Sequence, residues 1–182
     1  MNPPPSYTII ASPIGKILLT ATPRGLSGLW IVGEKHCPPI AAEWVEDPTF
    51  LAPAAVQLAG YFNGTRRHFD LPLDVAGTRF QQEAWAALQQ IPYGRTLTYQ
   101  QQAAVTGRPA AVRAVGTANG RNPISIIVPC HRVIGANGSL TGYGGGLNAK
   151  QWLLAHEAKH AAAELELRKE PSSFRVHTMR LL

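Results

Sequence analysis

The signals that punctuate this chain change abruptly at Val75-Ala76-Gly77, and no other feature constrains its fold as much. Upstream, short apolar runs alternate with turn residues. Tyr7–Ile10 and Lys16–Thr20 flank Ser12-Pro13-Ile14-Gly15, and Pro23-Arg24-Gly25 precedes Leu29–Val32. That pattern predicts a β-meander over residues 7–33. A Pro-rich, loosely patterned stretch covers Cys37–Pro53. A short amphipathic helix is expected from about Ala54 to Phe62, stopped by Asn63-Gly64, with a further strand over His68–Asp74.

Downstream, helix caps take over. Thr78-x-x-Gln81 is a capping box, followed at helical spacing by Phe80, Ala84, Leu88 and Ile91 and ended by Pro92-Tyr93-Gly94. Thr98-x-x-Gln101 caps a second helix that stops at Gly107, and Pro109 is placed to open a third, running to about Asn119. Two short helices joined across Gly107-Arg108-Pro109 form a helix-turn-helix candidate, although an ordinary αα-corner has the same pattern. An apolar run, Ile124–Val128, then ends in Pro129-Cys130-His131-Arg132. A Gly-rich loop (Gly135–Gly146) leads to a last helix, capped by Asn148-x-x-Gln151 and running past Glu157. The expected fold class is α/β, of the α+β kind. An N-terminal variable domain (1–77) carries an antiparallel sheet and a helix, a mainly helical C-terminal domain (78–160) contains the helix-turn-helix, and a peripheral tail (161–182) follows.

Charge bears on the partner. Residues 1–77 carry 5 basic and 6 acidic side chains, residues 78–157 carry 7 and 2, and residues 158–182 carry 5 and 3. No carboxylate side chain falls within residues 84–156, a stretch of 73 that holds six Arg or Lys. Six such cations could hold phosphates by counterion release, but uneven charge is also what an ordinary solvated surface shows. With 45% hydrophobic residues and four Trp the chain is not disordered, and no apolar run approaches the roughly 20 residues needed to cross a bilayer. Met1-Asn2-Pro3-Pro4-Pro5 lacks the basic and apolar regions of a secretory signal. Two cysteines, Cys37 and Cys130, are too few for a disulfide framework, so a cytoplasmic location is expected.

Three sets of residues could carry chemistry. Cys130 follows an apolar run and a proline that fixes the backbone, with His131 and Arg132 adjacent to favour its thiolate; a buried, inert cysteine is the plainer alternative. Cys37, in a Pro-flanked loop beside His36, has no such context. His156-Glu157-Ala158-Lys159-His160 fits the helical zinc motif H-E-x-x-H, yet only His177 follows as a third ligand, and two unrelated imidazoles on the last helix account for it as well. Arg113 lies in a helix of Ala, Gly and Val that nothing bulky would hold away from a nucleic-acid backbone. It could equally snorkel from a helix packed on the core.

Pro129-Cys130-His131-Arg132-Val133-Ile134, preceded by Arg113-Ala-Val-Gly116 and Asn122-Pro123 and followed by Thr141-Gly-Tyr-Gly-Gly-Gly146 and Trp152-Leu-Leu-Ala-His-Glu157, resembles the O6-alkylguanine-DNA alkyltransferases, the methylated-DNA–protein-cysteine methyltransferases. Order and spacing match through residues 78–157, and the N-terminal half matches the family's small variable domain more loosely. The resemblance implies a suicide transferase that flips a damaged base out of duplex DNA and keeps its alkyl group. Cys130 would be the acceptor, His131 the base that takes its proton through a water, and Glu157 the residue that orients the imidazole, in the manner of a hydrolase triad. Asn122 would hold the turn before the active-site segment. Arg113 would fill the stack from the minor groove, on a helix that also presents Ala114 and Gly116, with Arg132 among the DNA-binding residues. Tyr99 would place its hydroxyl near the guanine ring and rotate the 3′ phosphate, and a phenol can supply the proton the departing base needs. Val133, Tyr143 and Gly144 would line the alkylguanine pocket with Tyr99.

The implied substrates are O6-alkylguanine and, secondarily, O4-alkylthymine. No cofactor and no membrane partner are expected, and the protein should act as a monomer, with cooperativity on DNA left open. Two departures qualify the resemblance. Some relatives have Ser where Gly144 stands, so the pocket here is roomier and its alkyl range open. Some bind zinc in the N-terminal domain, whereas Cys37, His36 and His68 form no clear ligand set, so no metal is expected. Two other classes remain at this stage: a zinc metallohydrolase using His156, Glu157 and His160, and a non-catalytic module that binds DNA lesions.

Overall fold

The computed structural model describes residues 3–169, without the side chains of 164–169. Strands β1 (Ser6–Ile10), β2 (Ile17–Thr22) and β3 (Gly25–Ile31) form the expected meander, antiparallel throughout. A two-residue strand, β4 (Val45–Glu46), adds to β1 in parallel, so the sheet order is β3-β2-β1-β4. The strand expected over His68–Asp74 is absent. That segment touches the sheet at a single bridge, Leu73 to Leu26, where Pro72 offers only its carbonyl to the Leu26 amide (2.8 Å). A proline lacks the N–H that would continue the ladder.

Helix α1 (Ala52–Phe62) packs Ala54, Leu58 and Tyr61 inward and ends at Asn63. Both capping boxes are present. Thr78 opens α2 (Arg79–Gln89) and Thr98 opens α3 (Tyr99–Val105), each with the reciprocal Thr and Gln bonds. Between them, β5 (Leu97–Thr98) pairs in parallel with β6 (Val133–Ile134). Helix α4 (Val112–Gly120) begins three residues after Pro109, because the Ala111 amide closes a turn onto the Arg108 carbonyl (2.9 Å) that absorbs the proline. Helix α5 (Gly146–Lys169) starts two residues before Asn148, since the Gly146 amide turns directly onto the Tyr143 carbonyl (3.1 Å). It continues beyond Ala161, and residues 170–182 lie outside the described residues.

One apolar cluster runs through both halves, from Ile17, Leu19 and Leu29 of the sheet through Leu58 and Tyr61 to Leu88, Ile124, Val128 and Leu153. The Ile124–Val128 run is stitched to β3 by the Leu29 amide to the Pro123 carbonyl (2.8 Å) and the Ser125 amide to the Leu29 carbonyl (3.1 Å). Buried Ile126 has a φ of 72°, a left-handed conformation costly for a β-branched residue. The rigid, strained segment delivers Pro129 and Cys130 to the boundary between the halves.

Candidate active site

Cys130 opens a single 3-10 turn, Cys130–Arg132, and is 5% exposed. Its Sγ accepts from the Asn122 Nδ2 at 3.2 Å, and the same amide nitrogen donates to the Val128 carbonyl at 2.7 Å. Asn122 Oδ1 in turn accepts the Ile124 amide at 3.0 Å, so one side chain ties both ends of the segment together. Burial pushes the Cys130 thiol up to about 11, although the Asn122 hydrogen bond and the Lys150 charge oppose it. At neutral pH the group is a thiol, and its reaction needs a base.

That base is adjacent. His131 Nε2 lies 2.9 Å from Glu157 Oε1, and both side chains are fully buried. Burial raises the Glu157 carboxyl, but the hydrogen bonds and charges of His131 and Arg132 overcome this and hold it well below the usual carboxylate range. An ionised carboxylate only accepts, so Nε2 carries the proton and Nδ1 keeps its lone pair. Nδ1 is buried and has no partner. Burial also holds His131 below its ordinary pKa, despite Glu157. Arg132 works in the same direction as burial by balancing the carboxylate: Nε reaches Oε2 at 2.9 Å and Nη2 reaches Oε1 at 2.9 Å. The result is a neutral imidazole with a free acceptor, oriented by a carboxylate, beside a buried thiol.

This geometry changes the reading of Arg132. It is 6% exposed, it pairs bidentately with Glu157, and it donates to the Ile91 carbonyl at 2.6 Å, so it does not face a phosphate. The zinc motif dissolves on the same helix. Glu157 turns toward His131, whereas His156 Nε2 hydrogen-bonds the Tyr61 carbonyl at 2.7 Å and its ring stacks on Trp152 at 4.7 Å. His160 bonds the His156 carbonyl at 2.8 Å, and His177 lies outside the described residues. Among the described residues no three His, Cys, Asp or Glu side chains converge as a metal site would require.

The remaining expected site residues gather around the thiol. Val133 is fully buried in β6. Tyr143, from the Gly-rich loop, brings its ring to 6.4 Å from that of His131, with Gly144 beside it. Tyr99, the first residue of α3, donates its hydroxyl to the Thr141 carbonyl at 3.0 Å, and its ring lies where a Cβ on Gly116 would meet it at 3.7 Å. Helices α3 and α4 are locked by a buried amide pair: Gln102 Nε2 donates to Asn119 Oδ1 (3.0 Å) and Asn119 Nδ2 donates to Gln102 Oε1 (2.7 Å). Opposite that pair, α4 exposes Arg113, Ala114 and Thr117. Of the six basic residues in the acid-free stretch, Arg132 and Lys150 are buried and Arg108 pairs with Glu83 at 2.8 Å. Arg108 is exposed yet held by that ion pair, and Arg95, Arg113 and Arg121 are exposed as well.

Two family models together span most of the chain. Residues 6–75 match the ribonuclease-like domain of 6-O-methylguanine DNA methyltransferase, and residues 79–159 match its DNA-binding domain. The chain belongs to this family. It is 50% identical over 161 residues to the methylated-DNA–protein-cysteine methyltransferase of Mycolicibacterium paratuberculosis, covering 88% of this chain and 97% of that protein. It is 52% identical over 151 residues to the one from Methanosarcina barkeri, covering 83% and 96%. The crystal structure of the Mycobacterium tuberculosis O6-methylguanine methyltransferase superposes with a TM-score of 0.82 at 48% identity, over 91% of this chain and 99% of that one. The M. tuberculosis protein in complex with DNA superposes at 0.80, again at 48% identity, over 90% and 99%.

Within this family framework, two residues of the site escaped the sequence reading. Tyr61 of α1 donates its hydroxyl to Glu157 Oε1 at 2.8 Å, so the N-terminal half contributes directly to the buried carboxylate. Lys150 is fully buried, donates to the Val133 and Thr141 carbonyls at 2.6 and 2.7 Å, and is pushed down to about 8 by burial. Its signal was present in the sequence, as a lysine one turn before Trp152-Leu153 on a helix whose partner face is apolar, but a lysine there reads as solvated. Among the described residues, no helix is long and apolar enough to cross a membrane.

Proposed function

We propose that this protein repairs O6-alkylguanine in duplex DNA by irreversible transfer of the alkyl group to its own Cys130. The observation that carries the proposal is the neutral His131, held by Glu157 with an unpartnered Nδ1, next to a buried thiol fixed by Asn122. The thiol proton passes through one water to His131 Nδ1 as Sγ attacks the alkyl carbon. The S–C bond forms, the C–O6 bond breaks, and its electron pair leaves with guanine, which takes up one proton and departs neutral. Tyr99, whose hydroxyl lies in the pocket wall, is suited to deliver that proton and is returned to neutrality from His131 or solvent. No step regenerates the thiol, so each molecule acts once. O4-alkylthymine presents the same alkoxy carbon and is the secondary substrate.

Helix α4 is the element that would enter the minor groove. Small residues surround exposed Arg113, which would fill the place of the flipped nucleotide. Arg95 and Arg121 add phosphate contacts, a sequence-independent affinity that suits scanning for lesions. We take residues 1–77 as a supporting domain, since Tyr61 and the β3 stitching brace the acceptor segment. The test is stoichiometry: label from O6-methylguanine duplex should saturate at one group per protein molecule and be indifferent to chelators. Uptake that continues past one equivalent, or stops on chelation, contradicts the proposal.

A further inference from the structure

Strand β3 ends at Ile31 against the Gly-rich loop, so closely that a Cβ on Gly145 would collide with Ile31 Cδ1. The next turn, closed by the Glu34 amide onto the Ile31 carbonyl (3.0 Å), sends the Glu34 side chain to the same loop. Its two carboxyl oxygens lie 3.5 and 3.6 Å from the place a Gly144 Cβ would take. Gly144 adjoins Tyr143, and the Glu34 charge is felt at both Tyr143 and Cys130, where it disfavours ionisation. Oε2 is buried and has no hydrogen-bond partner. Burial, partly opposed by a backbone hydrogen bond at Ile31, pushes the carboxyl up to about 7. An unpaired acid in such a place is costly to keep, and the transfer step derived above does not use it.

We propose that Glu34 sets the charge selectivity of the alkyl pocket, disfavouring anionic adducts such as O6-carboxymethylguanine against neutral adducts of similar size such as O6-(2-hydroxyethyl)guanine. The inference rests on the alkyl-transfer reading. The reacting carbon must meet Cys130 Sγ, so the rest of the adduct occupies the space around the thiol, where the field of Glu34 already reaches. A carboxylate there meets a like charge in a poorly solvated site. A hydroxyethyl group meets none, and its hydroxyl can donate to the orphaned Oε2. Lys150 does not cancel the effect, because two carbonyls engage its ammonium and burial weakens its charge at alkaline pH.

The test compares single-turnover rates on two duplexes, one carrying each adduct, at about pH 8.5, where Glu34 is mostly ionised. Wild type should favour the hydroxyethyl duplex. In Glu34→Gln the carboxymethyl-to-hydroxyethyl ratio should rise on the order of tenfold, as for two charges about 12 Å apart at an effective dielectric near 20. Because the ratio is taken within each variant, general losses of activity cancel. Glu34→Ala serves as a second variant, with the same expectation. A ratio unchanged in both variants, or equal rates in wild type, overturns the role of Glu34. A wild-type protein that takes no group from either duplex, nor methyl from an O6-methylguanine control, overturns the alkyltransferase reading itself.

Discussion

Tyr61→Phe removes one oxygen from the molecule and isolates the link between the N-terminal half and the reaction centre. The ring remains, with its contacts to Phe62, Phe69, Tyr93 and His156. Glu157 then keeps four of its five donors: His131 Nε2, Arg132 Nε and Nη2, and the Gly94 amide at 3.0 Å. A hydrogen bond to a charged group contributes roughly 1.5–3 kcal/mol, and with the carboxylate still well supplied the loss should sit at the lower end, about 1.5 kcal/mol. The urea midpoint should therefore fall while the m-value stays constant. The reaction should respond as well. With one donor gone, the carboxylate charge falls more heavily on His131, which favours imidazolium and raises the histidine pKa. The acid limb of the transfer rate should move to higher pH, by at most about one unit, since one unit is about 1.4 kcal/mol. Urea unfolding and single-turnover transfer across pH measure the two effects. An unchanged midpoint together with an unchanged acid limb refutes the reasoning.

Other consequences are equally direct. Arg113→Ala should lose transfer from duplex DNA far more than reaction with free O6-alkylguanine base, and equal losses on both would remove its role in the groove. Asn122→Ala leaves the buried Ile124 amide without its acceptor, takes one of two donors from the Val128 carbonyl and frees the thiol, so stability should drop by about 1–3 kcal/mol and the transfer rate with it, as denaturation and kinetics would report. Wild-type transfer should hold constant down to pH values below the ordinary histidine range, because burial keeps His131 neutral there. Stability should follow the same sign. His131 and Glu157 both bind protons more readily in the unfolded chain, so the stability they confer is complete above the ordinary values of 6.5 and 4.5 and is lost as pH falls below them. Acid titration of the unfolding free energy would check it.

What the sequence made legible was local. Thr78 and Thr98 announced their helices because a capping box closes within four residues, and both boxes are present. The meander followed from turns of equally short range. Errors arose where a distant partner decided the outcome. His68–Asp74 has the composition of a strand, yet Pro72 withholds the donor a ladder needs and only Leu73 bridges. β4 is two residues long and exists only because β1 lies beside it. Pro109 marked a helix start, but the turn onto Arg108 consumed it. The same distinction runs through the site. Cys130 and His131 were conspicuous within one hexapeptide. Arg132 looked like a phosphate ligand because its partner, Glu157, lies 25 residues away, and the separation of 96 between Tyr61 and Glu157 left that bond with no local signature.

The central claim is that Cys130 is the atom-level destination of the alkyl group. Intact-protein mass spectrometry after incubation with O6-methylguanine duplex, followed by peptide mapping, tests it most directly. The account predicts a gain of one CH2 per molecule, located on the peptide containing Cys130, and none in Cys130→Ala, which should still bind DNA. No gain, or a methyl group on Cys37 instead, would contradict it.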